Sequence, residues 1–269
     1  MKKMLSLALV LVLMMSLAAC GAKTETPAAT TAPAAADTEA PAAEVKTIEA
    51  GKLIMSTNAS FPPYEMIADD GSIEGIDVEV ADAIAKKLGL ELEVDDMDFD
   101  AALLAVQQNK SDIVMAGVTV TDDRKLVMNF TDSYATGVQV VIVKEGSDVT
   151  LDNLGEKMIG TQRGTTGYIF TSDDYGDDHV TAYDNGASAV QALQNGQVDC
   201  VVIDAAPAEA YVEANPGLTI LDTEYVVENY AIGVNKDNTA LLDAINGALA
   251  ELTADGTIDT IIGKYITAE

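Results

Sequence analysis

The chain has 269 residues, of which 44 are acidic and 15 basic, giving a formal charge of −29 at pH 7. So negative a protein argues against nucleic acid as a partner, because phosphates demand a positive face, and against lying flat on anionic lipid. Nearly half of the residues are apolar, enough for a sizeable core, and only two are cysteines, Cys20 and Cys200.

Met1-Lys2-Lys3 followed by the apolar stretch Met4 to Ala18 reads as an export signal over residues 1–19. The stretch is shorter than the about 20 residues a membrane span needs. Leu17-Ala18-Ala19-Cys20 resembles the lipobox of bacterial lipoproteins, in which the Cys is acylated and becomes the new N-terminus. Residues 20–44, rich in Ala, Thr, Pro and acidic side chains, cannot bury enough apolar surface to offset ordering, which predicts a disordered tether. Lipid, tether and then a folded body from Val45 is the layout of a protein anchored at the outer face of a cell membrane. With Cys20 lipidated, Cys200 is left alone in the apolar run Val198 to Ile203, where a buried structural thiol is expected.

In the folded body, strand-like and helix-like segments alternate. Lys52 to Thr57 reads as a strand, followed by the loop Asn58 to Tyr64. Val80, Ala81, Ile84, Ala85 and Leu88 recur at helical spacing over Asp77 to Leu88, and Gly89 stops that helix. A strand over Leu90 to Val94, a helix over Asp100 to Gln108 and a strand over Ile113 to Ala116 follow. This order predicts an α/β fold with parallel sheets covered by helices. The pattern then recurs. Val106 to Met115 matches Leu193 to Val202, each a helix end, a polar turn, an Asp and a strand. Lys52-Leu53-Ile54 and its loop resemble Lys157-Met158-Ile159 and its Gly- and Thr-rich loop more weakly, which points to two similarly built lobes.

Ligands of open parallel sheets bind beyond the carboxyl ends of the strands, so the residues that follow the strands are the candidates. A free amino acid needs a planar cationic fork for its carboxylate, which Arg supplies and Lys does not. Arg124, one of only two arginines, follows a strand in company with Gly117 and Thr119. The alternative for Arg124 is a surface ion pair with Asp122 or Asp123. Asp204 ends the apolar run from Val198 and suits an ammonium group, the alternative being a helix cap. Gly164-Thr165-Thr166-Gly167 opens a helix, whose free N–H groups suit an anion. Phe61, Tyr64 and Phe99 can sandwich an aliphatic stem or pack in the core. There is no Ser/His/Asp set and no Cys/His cluster at metal-ligand spacing, and the lone His179 lies in an acidic loop.

As a set, these residues resemble the family 3 extracellular solute-binding proteins, the polar amino-acid receptors of ATP-binding-cassette (ABC) importers. The motifs are Phe61-Pro62-Pro63-Tyr64-Glu65, Gly75 to Ala85, Gly117 to Arg124, Gly164-Thr165-Thr166, Val198 to Asp204 and Tyr230-Ala231-Ile232-Gly233-Val234. The resemblance implies a two-lobed periplasmic-binding-protein clamshell of type II, each lobe a mostly parallel sheet flanked by helices. Residues 45–136 and 229–269 would form lobe 1 and residues 137–228 lobe 2, joined by hinge crossings near Ser133 to Val138 and Val226 to Tyr230. It further implies that Arg124, Thr119 and the Thr166 amide hold the ligand carboxylate. Asp204, Thr119 and the Gly117 carbonyl hold the ammonium, while Asn58, Phe61, Phe99, Ala116, Gln162 and Ile203 surround the side chain. Asn58 replaces an Asp that several relatives use, and Ile203 a polar residue in some. The expected ligand is therefore an uncharged polar amino acid, a basic one next and an acidic one third; Arg163, the obvious partner for an acid, usually points away. A monomer without cofactor or metal is expected, delivering its ligand to the importer's membrane subunits. Two other readings are a clamshell enzyme such as a dehydratase, which needs a group titrating near neutrality by the ligand side chain, and a sensory domain, which needs an output segment after residue 269.

Overall fold

The structure, a computed structural model, describes residues 45–266. The expected signal, Cys20 and the tether lie outside the described residues. In chain order the first part carries β1 (Lys52–Thr57), β2 (Ser60–Phe61), β3 (Glu65–Ile67), β4 (Ile73–Glu74), α1 (Ile76–Leu88), β5 (Glu91–Asp96), α2 (Phe99–Gln107), β6 (Ile113–Val114) and α3 (Asp122–Val127). The long β7 (Met128–Lys144) leads to β8 (Ile159–Gln162), α4 (Thr166–Tyr175), β9 (Val180–Tyr183), α5 (Gly186–Gln194), β10 (Cys200–Asp204), α6 (Ala205–Ala214) and β11 (Leu218–Ile220). Then β12 (Val226–Asn235) returns the chain to α7 (Thr239–Ala254) and α8 (Thr257–Tyr265).

The main sheet runs β5-β1-β6-β12-β7-β10-β8-β9, with β11 also on β7. At one end β1 pairs in parallel with β5 and β6; at the other β8 pairs in parallel with β9 and β10. Two antiparallel strands, β7 and β12, join the halves, paired from Val226 opposite Gln139 to Asn235 opposite Met128. This is the two-lobed clamshell with two crossings. Strands buried on both faces account for the unbroken apolar runs: Leu53 to Thr57 and Cys200 to Asp204 are buried throughout. Helix α1 buries Val80, Ala81, Ile84 and Ala85, packs on α7 and α8, and stops at Gly89 in the left-handed conformation. Cys200 is buried, and burial pushes its thiol up to about 12, so it is an inert core residue.

Two strand ends lie two residues from their expected places. Strand β6 ends at Val114, not Ala116, because the chain bends into a turn at Gly117, whose φ is +54°. Strand β5 runs on to Asp96 because Asp95 and Asp96 continue the parallel ladder beside Ser56 and Thr57.

The internal repeat has a physical basis. Asp112 Oδ2 accepts from the Ile54 amide at 2.9 Å while its own amide donates to the Ile54 carbonyl at 2.8 Å. In the other lobe, Asp199 Oδ2 accepts from the Met158 amide at 2.8 Å, and its amide donates to the Met158 carbonyl at 2.8 Å. Each Asp thus clamps the chain entering its strand to the first strand of the same lobe, a use for the acid that apolar periodicity alone does not reveal.

Candidate functional site

Between the lobes lies a cavity at the carboxyl ends of the parallel strands. It gathers Asn58, Phe61, Phe99, Ala116, Gly117, Thr119, Arg124, Gln162, Thr166, Ile203 and Asp204, every residue expected around a ligand, together with Glu65, Gln139, Thr165 and Val202.

Arg124 is buried in the first turn of α3, where Thr121 caps the helix by accepting from the Arg124 amide at 3.2 Å. Its guanidinium donates to the Thr119 carbonyl at 2.8 Å and, across the cleft, to the Gly164 carbonyl at 3.1 Å. It also lies over the Phe99 ring, 5.4 Å from the centroid. Burial lowers its pKa to about 10, which leaves it charged at neutral pH. The surface ion pair weighed for it is not made; Asp122 pairs with Lys125 instead.

Asp204 faces the same cavity from the end of β10. It occupies the N-cap position of α6 but makes no capping hydrogen bond, so the helix-cap alternative fails. Instead its Oδ1 accepts from the Tyr230 hydroxyl and its Oδ2 from Gln139 Nε2 at 2.7 Å. Burial, reinforced by the Glu228 carboxylate and opposed by the Tyr230 hydrogen bond, raises its pKa to about 7.

The rest of the lining is held from both lobes. Gln162 Nε2 donates to Asn58 Oδ1 at 2.9 Å, and the Thr119 and Thr166 hydroxyls lie 3.4 Å apart. Thr165 caps α4 by accepting from the Tyr168 amide, which leaves Thr166 at the helix N-terminus facing the cavity. The Gly117 amide is fixed by Asp77 Oδ2 at 2.9 Å, and Asp77 Oδ1 accepts from Tyr134 at 2.6 Å. Burial lifts Asp77 to about 6 against these hydrogen bonds. A Cβ at Gly117 would come 2.7 Å from Phe61 Cε1, so the ring packs directly on the turn. Tyr64 is core, stacked on Phe61 and edge-on to Tyr230. Arg163 is exposed beside Asp184 at 3.7 Å and points away from the lining.

Three contributors were not picked out from the sequence. Glu65 is fully buried and lines the cavity; no group among the described residues donates to its carboxyl oxygens, and the Asp77 carboxyl beside it can accept from it when it is protonated. Burial first, and then the nearby Asp77 carboxylate, holds its pKa well above the usual carboxylate range. Gln139 and Glu228 lie on the two crossing strands behind Asp204. A faint signal existed, since Gln139 interrupts the apolar run Val138 to Val143 and Glu228 follows Val226-Val227.

Gly137, opposite Glu228 on β7, leaves room for this cluster: a Cβ there would collide with the Tyr230 hydroxyl and Asp204 Oδ1. Gly137→Ala should therefore displace Asp204 and weaken ligand binding about tenfold or more, with little change in the circular dichroism of the fold. Calorimetric affinity equal to wild type would show that the cluster can shift at no cost.

A cleft between two α/β lobes, with a buried guanidinium on one side and a buried carboxyl on the other, defines a solute-binding clamshell. The sequence matches the model of the bacterial extracellular solute-binding proteins, family 3, over residues 53–268, and the chain belongs to that family. It is 34% identical over 222 residues to the "Probable histidine-binding protein" of Neisseria gonorrhoeae, covering 80% of this chain and 83% of the relative. It is 32% identical to "ABC transporter arginine-binding protein 1" of Escherichia coli strain K12, covering 80% and 91%. Among solved structures, an ancestral arginine-binding protein bound to arginine is 41% identical, with a TM-score of 0.75 over 80% of this chain and 98% of that one.

Proposed function

We propose that this protein is the extracytoplasmic binding component of an ABC importer and captures a free L-amino acid with a cationic side chain. The observation that carries the reading is the pairing of buried Arg124 and buried Asp204 on opposite walls of one cavity, with the buried carboxyl of Glu65 in the same lining. Arg124, Thr119 and the Thr166 amide take the carboxylate. Asp204, Thr119 and the Gly117 carbonyl take the ammonium. Asn58, Phe61, Phe99, Ala116, Gln162 and Ile203 surround the side chain, and Glu65 accepts its positive end. A buried acid beside a second one, Asp77, is costly to ionise, and a cation entering the cavity offsets that cost. This reverses the order expected from Asn58 and Ile203, which put uncharged polar ligands first. The names of the histidine- and arginine-binding relatives point the same way.

One argument against an enzyme falls: Asp204 at about 7 and Glu65 do offer groups that can titrate within the site. Binding without turnover is preferred on family membership. The lobe limits proposed are 45–136 with 229–269, and 137–228. They are supported by the register of the crossings, where Thr136 pairs with Asn229 and Gly137 with Glu228. Bonds between the lobes (Arg124 to Gly164, Gln162 to Asn58, and the Tyr211 hydroxyl to the Ser60 carbonyl at 2.7 Å) favour ligand-driven closure. Attachment to the membrane through lipid on Cys20 and a monomeric state complete the proposal.

The test is thermal shift of unliganded protein against the twenty amino acids, followed by small-angle scattering with the best ligand. Arginine, lysine or histidine should stabilise most, and the radius of gyration should fall. A larger shift with glutamine or asparagine would remove the cationic assignment, and no response to any amino acid would remove the function.

A further inference from the structure

Behind Asp204, the cavity wall continues into a polar set that carboxylate and ammonium recognition does not require. Gln139 Nε2 has two protons; one goes to Asp204 Oδ2 at 2.7 Å and the other to Glu228 Oε2 at 2.8 Å. Glu228 is 4% exposed, and its Oε1 has no partner. Gln139 and Glu228 come from different crossing strands, β7 and β12, so the amide ties both crossings to the ammonium end of the site.

Two acids bridged by one neutral amide, away from water, have no cation between them. The titratable or charged groups facing them are Tyr230 from β12, Tyr64 from the loop before β3, and Arg124 from α3. Neither tyrosine supplies positive charge, and Arg124, whose largest charge partner is Glu228, leaves Asp204 without a cation of its own. Like charges close together in a buried site cannot both remain ionised at low cost. A ligand's ammonium supplies the missing cation.

We propose that Glu228, acting through Gln139, is a positioning residue for Asp204, and that this set gives up a proton to solvent in exchange for the ligand's ammonium group. The inference rests on the amino-acid reading above. In the empty site the proton is on Asp204, whose raised pKa agrees with the geometry. On binding, its O–H bond breaks, the proton passes to buffer, and the carboxylate accepts from the ammonium. Affinity consequently falls as pH drops below about 7, where the proton must be removed first.

Calorimetric titration of the full chain with arginine, in buffers of different ionisation enthalpy at pH 7, reads the proton directly. Wild type should release about half a proton per ligand from Asp204, on top of the proton that Glu65 gives up when it ionises beside the guanidinium. Glu228→Gln removes the neighbouring negative charge while keeping an acceptor for Gln139, and should at least halve the release attributed to Asp204. Glu65→Gln, titrated at higher arginine concentration, should lose only the Glu65 share and keep the half proton of Asp204. Release that survives in Glu228→Gln but vanishes in Glu65→Gln would place the proton on Glu65 and overturn the proposal, as would heats independent of buffer in wild type. No binding heat at all from wild type would instead overturn the amino-acid reading. If Glu228→Gln does not fold, the affinity of Glu65→Gln between pH 5 and 9 decides: a fall below pH 7 is expected, and a flat profile overturns the exchange.

Discussion

Glu65→Gln should lower the affinity for arginine about 30-fold, about 2 kcal/mol, while changing glutamine binding by less than about threefold. The substitution keeps the shape and hydrogen-bonding capacity of the side chain and removes only its ability to become an anion. In the empty protein burial, and then the Asp77 carboxylate beside it, opposes ionisation of Glu65, so the folded state loses little electrostatically when the acid becomes an amide. The loss appears only when a guanidinium or ammonium enters and needs a counter-charge. Part of the attraction is spent ionising the acid, which is why the expected effect is at the lower end of what breaking a buried charge pair costs. Paired calorimetry with arginine and glutamine provides the check. An equal loss for both ligands would make Glu65 a packing residue, and no loss for arginine would leave the cationic side chain without a partner in this cavity.

How far the sequence reveals this site depends on which physical signal each residue carries. Arg124 and Thr119 follow an apolar strand and Asp204 ends one, and strand ends in parallel sheets point into the cleft, so position made them candidates, with a surface ion pair or a helix cap as alternatives, and the family resemblance gave their roles. Glu65 carries no such signal. An acid following Phe61-Pro62-Pro63-Tyr64 reads as part of a solvated loop, and its burial is a tertiary fact. The start of α1 closes over it, with Gly75 packed so tightly on the Tyr64 carbonyl that a Cβ would not fit. Glu228 falls inside one expected crossing, near Val226 to Tyr230, and Gln139 just past the other, near Ser133 to Val138, and β7 and β12 do pair there. That their side chains meet behind Asp204 follows from a register between segments far apart in sequence, which periodicity in one strand does not encode. The repeat shows the converse: Asp112 and Asp199 were matched by pattern, and their shared clamp on Ile54 and Met158 explains why it recurs.

Arg124→Lys should weaken every amino-acid ligand about 100-fold or more, whatever its side chain. The charge survives and the geometry does not. The guanidinium holds the Thr119 carbonyl with one nitrogen and the Gly164 carbonyl of the opposite lobe with another, and lies over the Phe99 ring. It can thus present a planar edge to a carboxylate while bridging the lobes. An ammonium is one compact, strongly hydrated point that cannot do these things together, and burying it here without both carbonyl partners costs desolvation that Arg124 recovers. Since all free amino acids share the carboxylate, the loss should be uniform, leaving the ratio of arginine to glutamine affinity near its wild-type value. That uniformity separates this variant from Glu65→Gln, which should change the ratio. Calorimetry of both ligands on both variants tests the two assignments together. Affinity of Arg124→Lys within about threefold of wild type, a difference under about 1 kcal/mol, would sink the carboxylate assignment. A loss confined to arginine would move Arg124 from the shared end of the ligand to its side chain.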